Sequence, residues 1–193
     1  MFKELKELVI RNRSYRRFDG SVIVKEDTLR ELIALARLTP SSYNLQPLKY
    51  MLSADPEKNC RIFPCLTMGS RLPDQRPLPK NKRPAAYIII LGDTAISQSA
   101  ECDLGIAAQT ILLGAVERGL GGCMVGSVDR RRLRRELNIP SPYSILMVIA
   151  LGKPAEKVVI ESLAPGKDTA YWRDANGVHH VPKRSLDELI LDE

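Results

Sequence analysis

The run Ala86-Tyr87-Ile88-Ile89-Ile90-Leu91 is apolar at every position, and it sets the tightest limit on how this chain folds. A half-exposed strand would alternate apolar with polar residues, and an amphipathic helix would show a stripe. A short uninterrupted run rich in isoleucine reads instead as a strand buried on both faces. Such a strand belongs at the centre of a sheet with helices packed against it.

The flanking sequence supplies the helices. Phe2, Leu5, Leu8 and Val9 recur at helical spacing, so residues 2–12 are predicted as an amphipathic helix that stops near Asp19-Gly20. A second helix spans Lys25 to Leu38, with Leu29, Leu32, Ile33 and Ala36 as its core stripe and Pro40 beyond it. The turn-rich segment Ser41–Pro47 leads into a strand over Lys49–Ser53, and residues 56–66 read as a short helix. Pro73, Pro77, Pro79 and Pro84 make Thr67–Pro84 a long irregular loop, a length usually kept for function. A long helix from Ser97 to Arg118 is rich in small residues, with Gly119 and Gly121 as its stop. A short strand over Cys123–Val125 follows. Asp129 then caps a helix through Leu137, and Tyr143–Leu151 is a further buried strand. The tail from Ser162 is polar and receives no element, although Tyr171-Trp172 and His179–Arg184 are too specific for a linker. The order ααβαβαβαβ is that of an α+β or mixed α/β fold, expected as one domain over residues 1–193.

Composition narrows the function classes. The chain has 193 residues with a net charge of +6, and only 5% of it is aromatic, too few rings for a single-strand stacking platform. The N-terminus carries charges at once, with no secretory h-region, and the uncharged stretch Leu104–Val116 is shorter than the roughly 20 residues a membrane span needs. A cytoplasmic protein with no membrane partner is expected. Cys60, Cys65, Cys102 and Cys123 form no Cys-x2-Cys pair, and His179 and His180 stand at no finger-like spacing from them, so no metal site is expected. Arg130-Arg131-Arg132 with Arg134-Arg135 reads as the solvated face of a short helix. Nucleic acid is the alternative partner for this charge, but no recognition module matches.

Gly119-Leu120-Gly121-Gly122-Cys123-Met124 is not a dinucleotide fingerprint. Met124 stands where the last glycine belongs, and the cluster follows a helix instead of opening one. The stronger chemistry lies in Arg11-Asn12-Arg13-Ser14-Tyr15-Arg16-Arg17, where four arginines flank an amide and a hydroxyl at a helix end. Planar guanidinium forks and a neutral donor suit phosphate oxygens; a plain basic surface patch is the alternative. Lys183-Arg184 forms a second basic pair near the C-terminus.

In this order the motifs resemble the nitroreductase family of flavoproteins. Arg13-Ser14-Tyr15-Arg16 is similar to its Arg-Ser-x-Arg signature, and Pro40-Ser41-Ser42-Tyr43-Asn44-Leu45-Gln46-Pro47 to its Pro-Ser-x-x-Asn-x-Gln-Pro loop. The long helix with Gly119–Gly126, and Val181-Pro182-Lys183-Arg184, complete the likeness across nearly the whole chain. The resemblance implies a three-layer α/β/α sandwich with a central, mostly antiparallel sheet, intertwined as a homodimer with FMN at the interface. By position it implies FMN contacts from Asn12, Arg13, Ser14 and Arg16, with Lys183 and Arg184 closing on the phosphate. Arg16 would also stabilise negative charge near flavin N1 and O2. Pro40, Ser41, Ser42, Asn44 and Gln46 would reach the flavin of the partner subunit, and Cys123, Met124, Val125 and Gly126 would line the ring. Many relatives carry Arg or His where Asn12 stands, which leaves the phosphate contact to Asn12, Arg11 or Arg13. Arg71, Lys80 and Lys82 are candidates from the long loop. Cys123 lacks a neighbouring thiol or His and reads as packed, with a redox thiol as the alternative; His179 and His180 read as structural.

The implied activity is FMN-dependent oxidation of NADH or NADPH, with hydride passed through flavin N5 to a nitroaromatic or quinone in ping-pong fashion. Two other readings stand beside it. One is a specialised flavin reductase or dehalogenase of the same family. The other is a basic protein that binds phosphorylated ligands or nucleic acid without flavin.

Overall fold

The computed structural model describes residues 3–69, 78–164 and 166–191. Up to residue 152 the elements follow the order read from the sequence: α1 (Lys3–Arg11), α2 (Glu26–Ala36), β1 (Leu48–Ser53), α3 (Pro56–Ile62), β2 (Ala86–Asp93), α4 (Glu101–Glu117), β3 (Gly121–Val125), α5 (Arg130–Leu137) and β4 (Tyr143–Gly152). The four strands form a sheet in the order β1-β2-β4-β3, antiparallel throughout.

Along β2 the side chains alternate between two cores. Tyr87, Ile89 and Leu91 join Ile62 of α3 and Leu133 and Leu137 of α5. Ala86, Ile88 and Ile90 join Leu29 and Leu32 of α2 and Ile111 and Ala115 of α4. Ile88, Ile89 and Ile90 are fully buried, each gaining roughly 1.5–3 kcal/mol from leaving water. Helices therefore cover both faces of an antiparallel sheet, as the apolar run requires. The fold is an α+β three-layer sandwich.

Boundaries shift where side chains or close packing compete with propensity. α4 starts four residues later than its spacing predicts, because Ser97 Oγ donates to the Ser99 carbonyl and Ser99 Oγ to Glu101, each at 2.6 Å. Such local bonds offer the backbone an alternative to the helix. Gly119, at φ 72°, ends the helix. Gly121 is no part of that stop; it opens β3, where Gly121 and Gly122 pair with Gly152 and Leu151 of β4. A Cβ at Gly122 would stand 2.6 Å from the Ala150 carbonyl oxygen, so only glycine permits this approach.

α3 gives way to a 3-10 turn over Phe63–Cys65 inside the segment read as one helix. Asp129 caps α5 as read, accepting from the Arg132 N–H at 3.0 Å. The arginine run, however, is more than a solvated face. Arg134 donates to the carbonyls of Ile139, Pro140 and Tyr143, and Arg130 to that of Ile145, so two of its five guanidinium groups fasten α5 to the entry of β4.

The tail, which the sequence left without elements, forms a second sheet. β5 (Val158–Ser162) runs parallel to β7 (His179–Lys183), and β6 (Trp172–Arg173) pairs antiparallel with β7. No helix among the described residues is long and apolar enough to cross a membrane.

Candidate functional site

α1 ends where the basic segment begins. Asn12 is buried, and its Nδ2 donates to Gln109 Oε1 of α4 at 3.2 Å. Arg13 folds back to the Val9 carbonyl at 2.8 Å. Ser14 then makes a parallel bridge to Gly122, and the Tyr15 N–H donates to the Gly122 carbonyl at 2.9 Å, so the segment lies along β3 as an added edge. Gly121 allows this too, since a Cβ there would meet the Tyr15 ring at 2.5 Å.

Beyond Tyr15 the backbone is fixed by Glu156. Its Oε1 accepts the N–H groups of Arg16 at 2.5 Å and Arg17 at 3.0 Å, while its Oε2 pairs with Arg173 at 2.7 Å. Both charged side chains of that pair are buried, at 2% exposure for Glu156 and 5% for Arg173. Arg173 belongs to β6, so one carboxylate joins the basic segment to the tail sheet. The consequence is a shared cavity of about 330 Å³, to which the segment contributes Asn12, Arg13, Ser14 and Arg16 and the tail contributes Tyr171, Val181 and Lys183. Arg16 donates to the Ser14 carbonyl and lies with its guanidinium 5.0 Å from the Tyr171 ring centroid, a cation–π distance.

No acidic residue is among the described residues lining this cavity. Arg13 Nε is buried there without a hydrogen-bond partner, and burial draws the Arg13 guanidinium below its ordinary value. A part-buried guanidinium beside a cavity whose described lining holds cations and no carboxylate makes a site that favours an anion. Leu112, Met124, Val181 and Tyr171 add apolar wall beside the cationic end.

The Ser-rich loop stands elsewhere. Pro40, Ser41 and Gln46 line a second cavity of about 350 Å³, walled by Asp103 and Ala107 of α4, which shares no lining residue with the first. Ser42 borders a hollow alongside, with Tyr43, and Asn44 Oδ1 accepts from Gln46 Nε2 at 3.2 Å. Cys123 and Val125 are buried in the core at 4% and 2% exposure. Burial also pushes the Cys123 thiol up, away from thiolate chemistry. Gly126 faces open space, and Arg184 pairs with Glu188 at 3.4 Å and does not line the first cavity. Lys80 and Lys82 form a 3-10 turn at neither site, and Arg71 lies outside the described residues.

Glu156, Arg173, Gln109 and Asp103 are absent from the motif reading. Gln109 carried a faint signal, as the one amide within the uncharged stretch Leu104–Val116. Glu156 had none, for its backbone partners Arg16 and Arg17 lie 140 and 139 residues away.

His180 carries the tail's own electrostatics. Its Nδ1 is 2.7 Å from Glu161 Oε1 on β5, its Nε2 is 3.3 Å from Asp174 Oδ2, and its ring stacks on Trp172 at 4.9 Å. The hydrogen bond to Glu161, then Asp174, holds the imidazole above its ordinary value against a lesser opposing effect of burial. A raised value in the folded chain means the stabilisation is whole below about pH 6.5 and fades as pH climbs through the folded value. Trp172 is the sole tryptophan, so its emission is expected to change as pH climbs above about 6.5. The His180→Gln variant should show no such titration; an unchanged curve in that variant would assign the titration to another group.

The model of the nitroreductase family matches residues 10–153. An FMN-dependent nitroreductase from Clostridium difficile R20291 is 28% identical, with a TM-score of 0.65 over 78% of this chain and 87% of that one. An NADH dehydrogenase of Thermus thermophilus is 25% identical, covering 88% of this chain and 96% of its own length. An oxygen-insensitive NADPH nitroreductase of Helicobacter acinonychis is 24% identical, covering 86% and 95%.

Proposed function

Because the chain belongs to the nitroreductase family, we propose that it is an FMN-dependent oxidoreductase that takes electrons from NADH or NADPH and delivers them to an electron-poor acceptor such as a nitroaromatic or quinone. The observation that carries this reading is the convergence of Arg13, Ser14, Arg16 and Lys183 on one cavity. Arg13, Lys183 and the Ser14 hydroxyl match a phosphate group in charge and donor type, Arg16 adds a third cation, and the apolar wall beside them suits a flat ring. The donor set therefore fits FMN. A similar solved protein is named for its FMN dependence, and two relatives for NADH and NADPH.

Bound FMN would supply hydride chemistry that serves nicotinamide and acceptor in turn, a ping-pong sequence. The chain's own residues would hold and bias it. Arg13, Ser14 and Lys183 would bind the phosphate, and Arg16 would supply positive charge that favours the reduced cofactor. Asn12 ties the segment to Gln109 of α4, and Glu156 holds the Arg16 and Arg17 backbone. The loop of Pro40, Ser41, Ser42, Asn44 and Gln46 occupies a separate region in the same chain. A homodimer in which each loop meets the other copy's FMN accounts for that separation.

The test is an absorption spectrum of the purified protein, followed by titration with NADH and with NADPH. Bands of bound flavin that bleach with a nicotinamide and return with a nitro compound or quinone are expected. Colourless protein that takes up no added FMN refutes the proposal.

A further inference from the structure

Asp103 stands in the first turn of α4 at 5% exposure, and nothing in the cofactor cavity uses it. Its Oδ2 accepts from Ser41 Oγ at 2.5 Å, and its Oδ1 accepts from the Ser42 N–H at 3.0 Å. Ser41 Oγ in turn accepts the Gln46 N–H at 2.9 Å. Gln46 Nε2 then donates to the Asn44 carbonyl and to Asn44 Oδ1, both at 3.2 Å. A single buried carboxylate is thus the root of a hydrogen-bond chain that holds both ends of the loop 41–46.

That loop needs holding. Tyr43, Asn44 and Gln46 all adopt left-handed backbone, at φ 50°, 55° and 51°, a conformation unfavourable to residues with a Cβ. Tyr43 is 95% exposed, so its own packing contributes little. The carboxylate needs the loop as well, because among the described residues its hydrogen-bond donors are these neutral groups and no lysine or arginine pairs with it. Ser41, Gln46 and Asp103 line the second cavity together. A favourable interaction with the helix dipole accounts for an acid in a first turn, but not for burial against a strained loop 62 residues away.

We infer that Asp103 is a positioning residue: acting through Ser41 and Ser42, it fixes the loop 41–46 in the shape that presents Ser42, Asn44 and Gln46 to the FMN held by a second copy of the chain. The inference rests on the proposed flavin reading. It assigns Asp103 no contact with the cofactor.

The test is a double-mutant cycle in the flavin-loaded protein, with Asp103→Asn, Ser41→Ala and both together. Uptake of FMN by the unaltered protein is measured first, so that a failure of the flavin reading is seen before any variant is made, and it takes the inference with it. Asp103→Asn keeps the volume of the side chain, and Ser41→Ala leaves α4 untouched, so a folding defect in one leaves the other to report. Each single variant is expected to speed hydrogen exchange at the Ser42 and Gln46 amides, weaken FMN binding roughly tenfold and brighten the emission of the bound flavin. Tenfold is the loss expected for one hydrogen bond to a charged group. The double variant should be no worse than the more severe single one, since both break the same chain. Unchanged exchange at those amides overturns the inference. So do losses that add in full, or faster exchange with flavin affinity and emission unmoved.

Discussion

Replacing Glu156 with alanine is expected to be the most damaging single change near the basic cavity, lowering stability by about 3–5 kcal/mol. The size follows from what the carboxylate faces. It pairs at 2.7 Å with Arg173, itself 5% exposed, and breaking a buried pair by removing one partner is strongly destabilising. It also accepts two backbone N–H groups, from Arg16 and Arg17. The neighbouring backbone shares the joint, because the Ala155 N–H donates to the Arg17 carbonyl at 2.9 Å and Phe18 bridges Pro154. For a chain of this length the loss corresponds to a melting temperature lower by on the order of 10 °C. FMN uptake should fall as well, since Arg16 and the tail residues Tyr171 and Lys183 are brought to one cavity by this contact. Glu156→Gln keeps an acceptor for the backbone and loses only the charge, so its cost should be clearly smaller. Urea unfolding of both variants, read beside flavin absorbance, checks the ordering. A Glu156→Ala variant within about 1 kcal/mol of the parent would show that the tail docks by other contacts.

That dependence on Glu156 also explains which parts of the molecule could be read from sequence. β2 was legible because its information is local: six apolar residues in a row leave a strand few places except between two layers, and Tyr87, Ile89 and Leu91 do part from Ala86, Ile88 and Ile90 across the sheet. α2 was legible by its stripe and α5 by its Asp129 cap. The tail sheet was not, for a reason that Pro182 makes plain. Proline argues against a central strand because it lacks an N–H, yet Pro182 lies in β7 between β5 and β6. The His179 N–H points to the β5 side, where it donates to the Lys157 carbonyl, and the Lys183 carbonyl on that side accepts from Leu163. Alternation then turns the nitrogen of Pro182 away from β5, toward β6, which pairs only with His179 and His180. The missing donor faces a side with no partner strand, and the rule does not bite.

The site divides in the same way. Arg13, Ser14, Arg16 and Lys183 were legible as chemistry, being cations and a hydroxyl in clusters. Their separation from the Ser41 loop was implied only by the family resemblance, because it arises from α4 presenting Gln109 to one cavity and Asp103 to the other, six residues apart on a single helix. Sequence also gave no view of the residues that hold the charged ones in place. Asn12 shows the difference. The resemblance leaves the phosphate contact to Asn12, Arg11 or Arg13, but no sequence pattern shows that the Asn12 side chain is buried and donates to Gln109, which fixes the segment to α4.

If that division holds, the two ends of the basic cavity should respond differently to mutation, and Arg16 is the residue that separates them. Arg16→Gln is expected to weaken FMN binding by roughly 10- to 100-fold, the range for loss of a hydrogen bond to a charged group. It should also lower the two-electron potential of the bound flavin by about 30–60 mV, where 30 mV equals about 1.4 kcal/mol. The potential falls because a fixed positive charge favours the reduced, more negative cofactor, and a neutral amide does not supply it. Arg16→Lys discriminates charge from shape. Lysine restores the charge without the planar fork or the placement over Tyr171, so it should recover most of the potential but less of the affinity. Lys183→Ala, at the phosphate end, should weaken binding and leave the potential near its parent value. Potentiometric titration against a reference dye, with FMN affinity measured alongside, reads all three variants. A potential equally altered by Lys183→Ala and Arg16→Gln would mean that the cavity acts only as a diffuse positive field; a potential unmoved by Arg16→Gln would remove Arg16 from the electron-transfer step and leave it a phosphate ligand.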